Sequence, residues 1–334
     1  MKNKATRWAI GAFLALYSIL TIIPFYFLFV RSFVPTKEST NLHLWIPKTE
    51  DISMDAQFGA LATFYKLDIP EFKAQVGLPA GYMNPSLTLR ELAEENNIPE
   101  EKIKDYLQNY IVYNGYYAIF SGGKFFWHLL ATVFVVVVSL IVGGVLGLAT
   151  GSVLGGFRKR WHLWVYYLYL FQIAVSPIVT LLPLYLIITY YLQLYNNYLS
   201  LILVFIKGGA LSTMVFTAHV ASIPRDLKES VEVDGGNHFQ YFWHILMPLS
   251  KTPFAVFTAI SLPVFWNDLL YGFLFLGPDR FTIIPLINSF SGTFATNLQA
   301  TYAGLFLATL PLLLVYLFFN RLFVRSALAG AIKG

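Results

Sequence analysis

Side chains able to do chemistry are few in this chain, and their spacing argues against most of it. The 334 residues include no cysteine, so no disulfide, thiolate metal site or cysteine nucleophile is available. The histidines are His43, His128, His162, His219, His238 and His244. None has a second histidine or a carboxylate at metal-ligand spacing within a helix, and His238 and His244, six apart, fall on different faces. Each reads as a satisfied or interfacial side chain. Neither HExxH nor GxxxxGK(S/T) occurs, so the pattern of a zinc protease and that of a phosphate-cradling loop are both missing. Asp268, after Trp266 and Asn267, is the candidate acid within an apolar run. An acid there can serve a proton or ion relay or sit at the outer interface, and the sequence leaves both open. No catalytic, cofactor or metal residue is assigned.

The most polar stretch among the apolar runs is SIPRDLKESVEVDGGNHFQYFWHILMP, Ser222 to Pro248. Pro224 can open a short helix. Arg225 to Val233 then makes about two and a half turns, and Asp234-Gly235-Gly236 stops them. A second amphipathic piece, 239–247, runs up to Pro248. Helix, glycine turn and helix at a surface suit docking to a soluble partner; an ordinary amphipathic loop has the same pattern.

The elements that must position this loop are apolar. The chain is 57% hydrophobic, 17% aromatic and 12% charged, against about 25% charged in soluble domains. A soluble fold of this size needs more polar surface than that, which excludes a cytosolic two-domain protein, a disordered chain and a fibre. Six runs reach spanning length: 8–30, 125–151, 163–192, 198–221, 253–276 and 302–323. Stretches such as VFVVVVSLIVGGVLGLA lack the alternation of a membrane β-barrel. The first run has 23 residues, longer than the ~7–15 of a signal-peptide core, and no small-x-small site follows, so it reads as a retained helix.

Charge sets the orientation. With the N-terminus in the cytoplasm, the cytoplasmic pieces hold Lys2, Lys4, Arg7, Arg158, Lys159, Arg160, Arg225, Lys228, Lys251, Arg321, Arg325 and Lys333. Their acids are Asp226, Glu229, Glu232 and Asp234. This positive-inside bias accounts for the net charge of +5 without nucleic acid. The expectation is an all-α polytopic membrane protein with six transmembrane helices and both termini cytoplasmic. Residues 1–32 are the tail and first helix, and 33–124 a mainly helical extracytoplasmic insertion. Residues 125–323 form the membrane core with the cytoplasmic loop 222–250, and 324–334 a cytoplasmic tail.

Within the insertion, SLTLRELAEENNIPEEKIKDYLQNYI reads as amphipathic helix with Thr88 or Asn97 as cap. The segment can form a cap or a docking surface. In the third run, Pro177 and Pro183 predict a kink or break, lining a cavity or simply bending a packed helix. Gly143, Gly144, Gly147, Gly151, Gly155 and Gly156 permit close helix packing.

Glu229-Ser230-Val231, then Asp234-Gly235-Gly236, with Pro248 thirteen residues beyond Gly235, resembles the EAA–DGA–P signature of ABC importer permeases. The ending Ala329-Gly330-Ala331-Ile332-Lys333-Gly334 resembles that of the MalG-like carbohydrate permeases. Gln172, Pro177 and Leu182-Pro183-Leu184-Tyr185, with Trp266-Asn267, are further echoes. Ser230 and Val231 stand where the family has two alanines, Gly236 where it has the last alanine, and Ser326-Ala327-Leu328 where it has Gly-Leu-Thr. Residues 48–103 exceed the family pattern.

The resemblance implies one permease of a binding-protein-dependent, ATP-driven importer of sugars or oligosaccharides, multi-pass in a prokaryotic cytoplasmic (inner) membrane. Its partners would be a second homologous permease, a cytoplasmic ABC ATPase dimer that carries ATP and magnesium, and an extracytoplasmic solute-binding protein, with lipid around them. This chain would bind no cofactor and would not be an enzyme. Arg225, Glu229, Ser230, Val231, Asp234, Gly235, Gly236 and Pro248 would couple it to the ATPase through the 224–236 helix. Gly330, Lys333 and Gly334 would reach the ATPases through the tail. Substrate contacts would come from the third to fifth spans. An importer permease for a non-sugar solute would share the 229–248 signature but lack the AGAIKG tail. A self-contained secondary transporter would want more helices and more intramembrane charge.

Overall fold

The computed structural model describes residues 4–36, 44–46, 52–65, 67–121, 123–156, 160–207, 209–292 and 295–331, without side chains at 4, 5, 9, 292, 295, 296 and 320–331. Among them the chain is helical apart from one short antiparallel pair, β1 (Ser291–Gly292) with β2 (Ala295–Thr296). Contacts divide it into two compact units, residues 1–125 with 287–309 and residues 126–286 with 310–334.

In the first unit, α1 (Lys4–Arg31) realises the first apolar run and shows apolar side chains on every side. Such a helix is buried by lipid or by neighbouring subunits. Its end is tied down: the Ser32 and Tyr116 hydroxyls share a 2.7 Å hydrogen bond, and Phe33 meets Tyr113 edge-on.

The insertion contributes α2 (Phe58–Tyr65), α3 (Ile69–Val76), α4 (Leu89–Glu95) and α5 (Glu100–Phe120). Local chemistry sets their ends. Asp68 caps α3 by accepting from the Glu71 N–H at 3.1 Å, and Gly77 closes it at φ 91°. Thr88 opens α4 through a capping box with Glu91, as the sequence predicts. Asn97, the other expected cap, caps nothing. It turns the chain at φ 53°, and Pro99, whose ring fixes φ at −57°, leads into α5 instead. Phe72, Leu89, Leu92, Ile103 and Leu107 are fully buried among these helices. Each such side chain contributes about 1.5–3 kcal/mol, so the insertion has a core of its own. Gln299 fastens α5 to residues 287–309, donating from Nε2 to the carbonyls of Ile111 (3.0 Å) and Val112 (2.8 Å).

The second unit is built on α6 (Phe125–Gly156), α7 (Arg160–Phe171) and α8 (Pro177–Leu186), which runs on through a wide π turn, Ile187–Tyr191. Then come α9 (Tyr198–Ile206), α10 (Ala210–Ala221), α11 (Asp226–Val233) and α12 (His238–Tyr241) with its π turn Phe242–Leu246. After α13 (Met247–Leu249) follow α14 (Lys251–Trp266) and α15 (Leu270–Phe275), while α16 (Ile283–Ser289) and α17 (Leu298–Ala331) are divided between the two units.

Glycine packing is tight at Gly144, Gly147, Gly151 and Gly155 and looser at Gly143, where a Cβ would lie 3.5 Å from the Phe257 ring, whereas a Cβ on Gly156 would have no neighbour within 4 Å among the described residues. A Cβ on Gly151 would lie 2.7 Å from the Phe216 carbonyl carbon, and one on Gly155 2.7 Å from the Thr217 carbonyl oxygen. The backbones of α6 and α10 therefore touch. At the other end of α6, His128 Nδ1 bonds the Phe281 carbonyl at 2.6 Å and Thr132 accepts from the Ile283 N–H at 2.8 Å.

Three helices among the described residues are long and apolar enough to cross a membrane by themselves: Thr6–Arg31, Phe125–Gly156 and Leu298–Phe319. Two bent pairs qualify as single spans, α9 with α10 at 48° and His238–Leu249 with α14 at 68°. The third apolar run is divided, and neither half reaches spanning length. The cause is Pro177, which opens α8 and holds Ser176 in extended backbone (ψ 136°). Pro183 sits inside α8 without breaking it.

Candidate functional site

The loop at 222–250 forms as two helices around a glycine turn. Arg225 occupies the cap position of α11 without a side-chain bond, so the helix starts at Asp226, one residue later than the sequence predicts and two after Pro224. Its other end is a complete Schellman closure. Gly236 N–H bonds the Val231 carbonyl at 2.8 Å and Gly235 N–H the Glu232 carbonyl at 3.1 Å, with Gly235 at φ 80°. Only glycine takes that angle without strain. Asp234 is the last residue of the turn at φ −72° and donates its N–H to the Ser230 carbonyl at 3.0 Å.

Asn237, which the sequence reading passed over, then opens α12 through a capping box with Gln240 at 2.9 and 2.8 Å. The asparagine followed three residues later by glutamine was the available signal. Pro248 lies within α13, just before the 68° bend into α14. Ser250, fully buried at that bend, returns its hydroxyl to the Leu246 carbonyl at 2.6 Å.

Glu229 and Ser230 are exposed on α11 and Val231 is half-buried against the turn. Lys228 pairs with Glu232 at 3.6 Å, while the Glu229 carboxylate has no partner among the described residues. Large apolar side chains stand out around them: Val233 is 86% exposed, Phe239 70% and Trp243 43%. Gly330 lies on the last turn of α17; Lys333, Gly334, Arg158 and Lys159 lie outside the described residues.

In the same unit as the loop, a cavity of ≈ 590 Å³ lies at the break in the third run. Gln172 and Pro177 line it at the break, with Phe205, Lys207, Phe265, Asp268 and Tyr271. Asp268 spends its carboxylate on helix α15, accepting from the N–H groups of Tyr271 (3.3 Å) and Gly272 (2.8 Å). Lys207, at the bend between α9 and α10, has no acid paired with it among the described residues. It was missed in the sequence because it interrupts an otherwise apolar 24-residue run; the glycines that follow it, 208 and 209, were the signal. Aromatic faces, an amide, one acid and one cation line a space of a size that holds a small solute. No group of three His, Asp or Glu side chains among the described residues can hold a metal ion.

A family model described as a binding-protein-dependent transport system inner membrane component matches residues 143–328, a stretch that takes in the cavity and the whole loop. The arabinooligosaccharides transport system permease of Bacillus subtilis is 27% identical over 228 residues, 66% of this chain and 79% of that protein. A probable ABC transporter permease of Pyrococcus horikoshii is 31% identical over 145 residues, 43% of this chain and 53% of that protein. Among solved structures, a chain of a bacterial ABC transporter involved in import of the acidic polysaccharide alginate shares the fold. It aligns with a TM-score of 0.59 at 15% identity, covering 95% of this chain and 96% of its own. With more than half of its length matched, the chain belongs to the family of binding-protein-dependent transport system inner membrane components, and it is a transport permease, not a catalytic subunit.

Proposed function

We propose that this chain is one of two permeases of an ATP-driven importer for sugars or oligosaccharides in a prokaryotic cytoplasmic membrane. The observation that carries the reading is the 222–250 loop. Its Schellman turn, Glu229 unpaired among the described residues, and exposed Val233, Phe239 and Trp243 would make a docking face that the described residues do not cover. A cytoplasmic ATPase dimer would seat α11 and drive it. The 68° bend at Ser250 would pass that motion to α14, rocking the spans between two access states.

Six spans, with α7 and α8 together as the divided third, put both termini and the loop in the cytoplasm and α2–α5 outside. There the insertion, with Tyr82 92% exposed, would meet the binding protein or the second permease. The ≈ 590 Å³ cavity beside Lys207 would be this subunit's share of the solute path. The sugar reading is supported by the named transport role of the Bacillus subtilis relative and by the AGAIKG ending.

The test is copurification of the ATPase with Glu229→Ala, together with transport in proteoliposomes. A shielded, hydrogen-bonded contact at Glu229 contributes about 1.5–3 kcal/mol, so ATPase retention should fall about tenfold or more while membrane insertion is unchanged. Wild-type retention and transport would remove the coupling role.

A further inference from the structure

A second cavity, ≈ 760 Å³, lies in the same unit where the ends of α6 and α10 meet the start of α7 and the 222–250 loop. Its polar lining is cationic: Arg160, Arg225 and Lys228 face it, with His162, His238 and the hydroxyl-bearing Ser152, Thr217, Tyr166 and Tyr241, and no acid lines it among the described residues. Lys228 is partly neutralised by Glu232 at 3.6 Å, but neither guanidinium takes an ion pair or hydrogen bond among the described residues. Trp161 and Trp164, 53% and 78% exposed, stand on the first turns of α7 beside it. Exposed indoles at a helix end mark the headgroup level of a bilayer. Two unengaged guanidinium groups in one cavity are suited to the paired oxygens of a phosphate.

We infer that this cavity is a binding site for a phosphate-bearing group, the headgroup of an anionic phospholipid of the cytoplasmic leaflet. Its side of the membrane rests on the six-span reading; its chemistry does not. Basic pockets between spans at the cytoplasmic face recognise anionic headgroups in this way, and the volume lies within the ~300–1,000 Å³ that takes a small ligand. The occupant would lie against the base of α11, so lipid composition would bear on the docking loop itself.

The test uses the purified importer and native mass spectrometry after titration with phosphatidylglycerol or phosphatidylcholine. Phosphatidylglycerol should be retained in preference, and Arg160→Gln should lower its retention about fivefold, with Arg160→Lys keeping most of it. Arg90→Gln, which removes the same charge from the insertion, should change nothing. Inorganic phosphate at millimolar concentration separates the two sources of the chemistry: failure to displace the lipid assigns the site to the headgroup, displacement to free phosphate. Equal retention of the two lipids with no effect of phosphate overturns the inference. So does equal loss in Arg90→Gln, or an Arg160→Gln variant that retains lipid but sheds the ATPase, which would make the occupant an acidic segment of that subunit. The coupling role is read separately, by Glu229→Ala.

Discussion

Val231 and Gly236 share one space. A Cβ on residue 236 would fall 2.6 Å from Val231 Cγ1 and 2.9 Å from the Val231 carbonyl oxygen. The importer signature has alanine at both positions; here one side chain has grown and the other has gone. Gly236→Ala is therefore expected to cost about 1–3 kcal/mol by overpacking, and Val231→Ala in the same chain to restore most of it. The carbonyl contact accounts for the remainder. Thermal unfolding of the three variants in detergent measures this, and a Gly236→Ala variant as stable as wild type would show that the two positions are independent.

Gly235→Val tests the turn by a different route. At φ 80° a β-branched residue costs about 1–3 kcal/mol, and relieving that strain opens the two Schellman hydrogen bonds and tilts α11. The variant should still insert in the membrane yet lose ATPase association more completely than Glu229→Ala. Equal retention in the two variants would mean that the orientation of α11 is unimportant.

Lys207→Met should leave ATPase copurification intact and lower solute uptake. A charged hydrogen bond contributes about 1.5–3 kcal/mol, equivalent to roughly tenfold or more in uptake at low solute. Lys207→Arg should retain part of the activity. Uptake unchanged in Lys207→Met would take the cavity out of the solute path.

Tyr106 supplies a pH signature for the insertion. Its hydroxyl is buried without a partner among the described residues, and burial pushes its pKa from 10 up to about 12. Because the folded value is raised, the unfolded chain releases the proton first, so stability falls as pH rises from 10 to 12. Tyr106→Phe should weaken that dependence, leaving the part due to Tyr110, which burial also raises, and should raise stability by about 1 kcal/mol at neutral pH. Proteolysis of the insertion in the full chain, followed from pH 7 to 12, checks both.

Legibility followed how local each determinant is. Thr88 with Glu91, and the glycine turn after α11, are written in a few consecutive residues, and both form where the sequence puts them. Asn97 has the right residue type in the wrong place: Pro99, two residues on, dictates the entry to α5. The break in the third run was legible from Pro177, yet which of its two readings applied was not, because a cavity depends on what α9 and α14 bring to it. Lys207 vanished in a reading by hydropathy, which averages a single charge over a whole span. The two unengaged guanidinium groups of the second cavity are 65 residues apart in the chain, and no local pattern joins them.

The contact of α6 with α10 through Gly151 and Gly155 leaves no layer of rotatable side chains between the two backbones. Side-chain layers act as cushions, taking up a displacement by small rotations before it reaches the next helix. Without one at Gly151 and Gly155, α10 and α6 are in direct backbone contact at that end. A push delivered at Ala221, where α10 runs into the 222–250 loop, would pass to α6 through this contact and emerge some 30 Å away, at the end where His128 and Thr132 grip residues 281–283.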